Sequence, residues 1–151
     1  MLKKILIGLG IVGVIAVVFL GYATNKVANE MLAEKEPQLR QYMQLDRAAQ
    51  DKFILDNCTE LFAGVDVDKD GKPEDKEQWE KFKQANTDPK IQKALIDVGR
   101  SVMSVAIMAS EPIVKDMNAD VKAQYQKESD EFDARMEYYS KLLEAAGIKI
   151  D

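Results

Sequence analysis

Nineteen consecutive residues, 5–23, carry no charge and are built mainly from Ile, Leu, Val and Gly. As a helix such a run spans about 28 Å, close to the roughly 30 Å hydrocarbon core of a bilayer. Nothing else in the chain of 151 residues limits its fold as strongly, because the run sets one apolar segment apart from a polar remainder. Lys3, Lys4 and the amino terminus precede it. The positive-inside rule then keeps that end in the cytoplasm and sends the bulk of the chain across. The expected organisation is a transmembrane or signal-anchor segment, residues 1–24, followed by a soluble domain, residues 25–151. The expected location is membrane-anchored, with the C-terminal domain outside the cytoplasm on the periplasmic side of a bacterial inner membrane. The competing reading is secretion after signal cleavage, since Gly21-Tyr22-Ala23 has the small-x-small form of a cleavage site. A signal core usually runs about 7–15 apolar residues, and this one is longer. The anchor is preferred.

Charge and composition then narrow the function. All 26 acidic residues follow the apolar run, against 19 of the 21 basic ones, a balance of −7 for the soluble part. Nucleic acid selects basic faces, so it is not expected as a partner. Histidine is absent, which removes the commonest general base and most zinc sites. No Gly-rich phosphate loop, nucleophile elbow or H-E-x-x-H pattern occurs, and no enzymatic activity is expected. Cys58 is the single cysteine, so no internal disulfide can form. Its spacing with Leu61 and Phe62 suits a small buried hydrophobe.

One stretch does carry chemistry. Asp66-Val67-Asp68-Lys69-Asp70-Gly71-Lys72-Pro73-Glu74-Asp75-Lys76-Glu77 places carboxylates at its first, third, fifth, ninth and twelfth positions and glycine at its sixth. The pattern D-x-D-x-D-G-x5-E resembles the EF-hand calcium loop. Calcium takes about 6–8 hard oxygen ligands, and a short loop must wrap nearly round the ion to supply them. The resemblance implies ligands from Asp66, Asp68, Asp70, the Lys72 carbonyl, Glu74 (directly or through water) and, in bidentate fashion, Glu77. Gly71 would allow the sharp turn. The eighth position holds Pro73, which has no N–H with which to pair a second loop. No second loop is expected: Asp116, Asn118 and Asp120 echo the first half, but Val121 replaces the glycine and Lys127 the closing carboxylate.

The rest of the chain reads as helix, giving an all-α fold: an anchor helix followed by a small bundle containing one EF-hand-like helix-loop-helix. Residues 25–36 continue out of the membrane, and Pro37 is expected to interrupt that helix. A second helix is expected over 38–64, a short third over 74–85. Asn86-Thr87-Asp88-Pro89 reads as a stop and restart, with Asp88 capping and Pro89 in the first turn. The helix from Pro89 to about Ala109 is the most apolar, and its 102–109 stretch is expected at the centre. Ser110-Glu111-Pro112 marks a break. A last helix over 119–146 carries Val121, Tyr125, Phe132, Met136, Tyr139 and Leu143, and Gly147 ends it.

Two functions remain in play. One is a membrane-anchored calcium-binding protein whose role is structural or one of interaction. The other is a tethered helical interaction protein with no metal function, docking an unidentified protein. Met103, Met108 and Met117 could line a calcium-exposed groove, although gap-filling in a core is the preferred reading. The first test is of the anchor. Expression of the full chain in bacteria should leave it in the membrane fraction at its uncleaved mass. A soluble species beginning near Thr24 would contradict this.

Overall fold

The computed structural model describes residues 25–58 and 71–150. The anchor expected over 1–24 lies outside the described residues. Within them the protein is a small helical bundle with no strand. No helix among the described residues is long and apolar enough to cross a membrane. In chain order the helices are α1 (Asn25–Gln44), α2 (Arg47–Asn57), α3 (Lys76–Ala85), α4 (Pro89–Ala109), α5 (Glu111–Lys115), α6 (Ala119–Asp130) and α7 (Phe132–Ala145).

Helix α4 is the axis of the bundle. Asp88 caps it by accepting from the Lys90 N–H at 2.8 Å, with Pro89 in the first turn, where its missing donor costs nothing. Leu95, Val98, Val102, Met103, Ala106 and Ile107 are each almost fully buried. The centre therefore lies over Leu95 to Ile107 rather than over 102–109: Val105 is half-buried and Ala109 exposed. Helices α1, α2, α5, α6 and α7 all contact α4. The contact with α2 includes one close approach. A Cβ built on Gly99 would fall 2.4 Å from Cγ2 of Ile54, so only glycine lets the two helices meet there.

Three boundaries differ from the expectation. Pro37 does not end the first helix, which runs through it to Gln44. A proline inside a helix costs about 3 kcal/mol. Ala28 and Leu32 before it and Leu39 and Tyr42 after it form one buried stripe. Each large apolar side chain so buried contributes about 1.5–3 kcal/mol, enough to offset the proline. The break comes later, at Asp46, whose side chain accepts from the Ala49 N–H at 2.8 Å and starts α2. Helix α2 then ends at Asn57 with Cys58 as its cap, and 59–70, including Leu61, Phe62 and Val65, lie outside the described residues.

The expected single helix over 119–146 is instead two, α6 and α7, meeting at Glu131. The interruption is slight. The Glu131 N–H still reaches the Lys127 carbonyl at 3.2 Å, and the Arg135 N–H reaches Glu131 O at 3.0 Å. The expected end at Gly147 is present as a Schellman turn. Gly147 has φ +85°, its N–H donates to Glu144 O at 3.0 Å, and the Ile148 N–H donates to Leu143 O at 3.1 Å. Ile148 and Leu143 are both buried, which supplies the apolar contact that accompanies this turn.

The Gly99–Ile54 contact yields a direct test. Gly99→Ala should destabilise the protein by about 1–3 kcal/mol through overpacking. Adding Ile54→Ala removes Cγ2, so the double variant should lose less than the two single losses summed. Thermal melts followed by circular dichroism measure both. A Gly99→Ala protein melting like the parent would remove this contact from the account.

Candidate metal centre

Of the six nominated ligands, Lys72, Glu74 and Glu77 are described, while Asp66, Asp68 and Asp70 lie outside the described residues. Gly71 has φ +82°, a conformation side chains disfavour, and nothing lies within 4 Å of where a Cβ would sit. Glycine is thus required there for its backbone angle and not for space. Lys72 and Pro73 are exposed, and neither belongs to a helix. Glu74 is buried, at 8% exposure.

Helix α3 starts two residues further on, at Lys76. Asp75 accepts from the Gln78 N–H at 2.9 Å and serves as its N-cap, which explains a carboxylate at a loop position not expected to bind metal. Glu77 falls in the first turn, and its carboxylate is 78% exposed and pairs with Lys81 Nζ at 2.9 Å. Such an exposed i,i+4 pair contributes little and is easily exchanged for another partner. Two and five residues on, Trp79 and Phe82 are buried with ring centroids 5.1 Å apart, pinning α3 to the core. Gln78 stands where an EF-hand usually has a bulky apolar residue. Its Oε1 accepts from the Lys149 N–H at 3.4 Å, so the side chain faces the C-terminal segment.

Before the loop, Cys58 is fully buried and its Sγ–H donates to Ile54 O at 3.1 Å. Burial pushes the thiol up to about 12, so it stays protonated and behaves as the small hydrophobe expected. Met103 is buried, and Met108 and Met117 pack against the core. Those methionines fill gaps.

The residues that echo the loop elsewhere have other work. Asn118 caps α6 by accepting from the Val121 N–H at 2.9 Å, and Asp116 pairs with Arg40 at 2.9 Å. Among the described residues no group of three or more Cys, Asp or Glu is arranged to hold a metal ion.

Two charge clusters escaped the sequence. Arg100 is 4% exposed on α4, and its guanidinium donates to Asp51 and, at 2.7 Å, to Gln50 Oε1, both from α2. Arg135 on α7 donates to Glu128 at 2.5 Å, Ser101 Oγ at 2.9 Å and the Asp97 carbonyl at 3.2 Å, and also pairs with Glu131 at 2.5 Å. It lines a cleft of about 260 Å³ with Asp97, Glu131 and the half-exposed Tyr138. Glu131 and Glu128 lie four and seven residues from Arg135, but Gln50, Asp51, Asp97 and Ser101 lie 34 to 50 residues from the arginines they meet, so no local pattern announces those contacts. Compared with known proteins, the chain matches no family model, no curated protein and no solved structure.

Proposed function

We propose that this is a membrane-anchored, extracytoplasmic helical protein that binds one calcium ion through residues 66–77, in a structural or interaction role. The observation that carries the reading is the spacing of five carboxylates around Gly71 in the sequence. Two local features agree with it. Gly71 adopts a left-handed angle, as a sharp turn asks of that position, and the Asp75 cap leaves Glu77 in the first turn of α3. Asp66, Asp68, Asp70, the Lys72 carbonyl, Glu74 and Glu77 would hold the ion. It would supply positive charge to a loop whose acids otherwise repel one another.

The metal-free interaction role is the weaker reading. It needs an exposed apolar stripe on the last helices, yet Tyr125, Met136, Tyr139 and Leu143 are core residues.

Affinity follows from the composition of the loop. Five acids favour binding, but Pro73 and the lack of a partner loop leave the segment to order itself on binding, which weakens affinity. Calorimetry on the full chain in detergent should show one site with a dissociation constant on the order of 10⁻⁵ to 10⁻³ M, and magnesium should compete poorly. Glu77→Gln and Asp66→Ala should each abolish saturable binding. No heat and no change in Trp79 fluorescence at about 5–10 mM calcium, above the weakest constant expected, would return the loop to a solvated acidic turn.

A further inference from the structure

We propose that the cleft between α4 and α7 is a docking pocket for one arginine side chain of a partner protein. Its lining residues fall between 94 and 138, so it stands or falls independently of the calcium reading. Ala94, Asp97, Glu131, Ala134, Arg135 and Tyr138 enclose about 260 Å³. Pockets for small-molecule ligands run about 300–1,000 Å³; this one falls below them and has room for a single side chain. Ala94 on α4 and Ala134 on α7 bring only methyl groups to it, which leaves the space open between two helices in contact. Tyr138 forms a wall with its ring 49% exposed, and Val27 is the only other exposed large apolar residue among those described. A ring held half in water beside a cleft offers a face on which a partner group can stack.

Charge names the occupant. Arg135 is already answered, by Glu128 and Glu131 at 2.5 Å each. Glu128 is also approached by Arg47 at 4.0 Å, so these two acids and two bases cancel. Asp97 is left over. It meets Arg135 only through its backbone carbonyl, at 3.2 Å, and its half-buried carboxylate makes no ion pair among the described residues. The surplus charge of the cleft is therefore negative and sits on Asp97. An incoming guanidinium would fork onto that carboxylate, lay its plane on the Tyr138 ring and rest its methylene stem against the two alanines. A lysine would match the charge but lacks the planar fork. An anion has little to gain, because Arg135 is committed to Glu128, Glu131, Ser101 and the Asp97 carbonyl. Docking leaves those ties intact, so the bundle needs no rearrangement to receive the side chain.

The probe is the blocked tripeptide acetyl-Gly-Arg-Gly-amide, titrated into the full chain in detergent and followed by NMR. Saturable shifts should centre on Ala94, Asp97, Ala134 and Tyr138, with a dissociation constant on the order of 10⁻³ M. The lysine peptide should bind more weakly, and the citrulline peptide, similar in shape but uncharged, should not saturate. Asp97→Asn and Tyr138→Ala should each weaken binding about five- to tenfold, whereas Tyr138→Phe keeps the ring and should bind like the parent. Both positions are partly exposed, and thermal melts matching the parent would show that the variants fold. Equal binding of the citrulline peptide, or shifts that survive both Asp97→Asn and Tyr138→Ala, would overturn the pocket. Free arginine binding more tightly than the blocked peptide would make it a small-molecule site instead. A dimer of the parent in sedimentation that Tyr138→Ala abolishes would give it to a second copy of the chain; either result contradicts the proposal.

Discussion

Burial of α4 around most of its circumference is the constraint on which the other helices depend. A helix that is apolar on nearly every face cannot lie on a surface, so five others each give it one side. The same burial makes its single inward charge critical. Arg100 would be very costly if it were unpaired, because the low-dielectric interior penalises an isolated ion by several kcal/mol. Asp51 and Gln50 answer it, and both come from α2. Charge pairing and the Gly99–Ile54 approach thus act on the same helix pair and fix the same register. A swap of the ion pair for apolar residues could match its stability; the polar version also dictates which face of α2 is used.

Polar ties repeat this pattern at the other contacts. Arg135 spans α6, α7 and α4 through Glu128, Glu131, Ser101 and the Asp97 carbonyl. Asn86 and Tyr139 join the end of α3 to α7 in a buried pair, and burial pushes the Tyr139 hydroxyl well above the usual tyrosine range. Arg40 joins α1 to α5 through the Pro112 carbonyl and to its C-cap Asp116. That last tie is exposed, so its contribution is orientation more than stability. Tyr42 sits deep against α4, where desolvation raises it to about 12 and keeps it neutral.

What the sequence made legible was local. The Asp88-Pro89 start, the apolar length of α4, the Gly147 stop and the burial of Cys58 each depend on residues a few positions apart. Pro37 misled because tertiary burial of Leu39 and Tyr42 overrode a local rule, and the Asp46 cap that does divide the helices was passed over. The Arg100 ties to α2 and the Arg135 ties to α4 were invisible for the opposite reason, since packing alone brings those partners together. The proposed metal site divides in the same way. The carboxylate spacing, the role of Gly71 and the first-turn position of Glu77 could be read from the chain. The burial of Glu74 and the use of Asp75 as a cap could not.

The central claim is that residues 66–77 hold one hard cation next to a helix anchored by Trp79, the chain's single tryptophan. Terbium substitutes for calcium in oxygen-rich sites and emits when a nearby indole is excited. Titrating the full chain with terbium under tryptophan excitation should give saturable sensitised emission that calcium reverses and that Asp66→Ala and Glu77→Gln lack. Emission that is absent, or that survives both substitutions, would contradict the account.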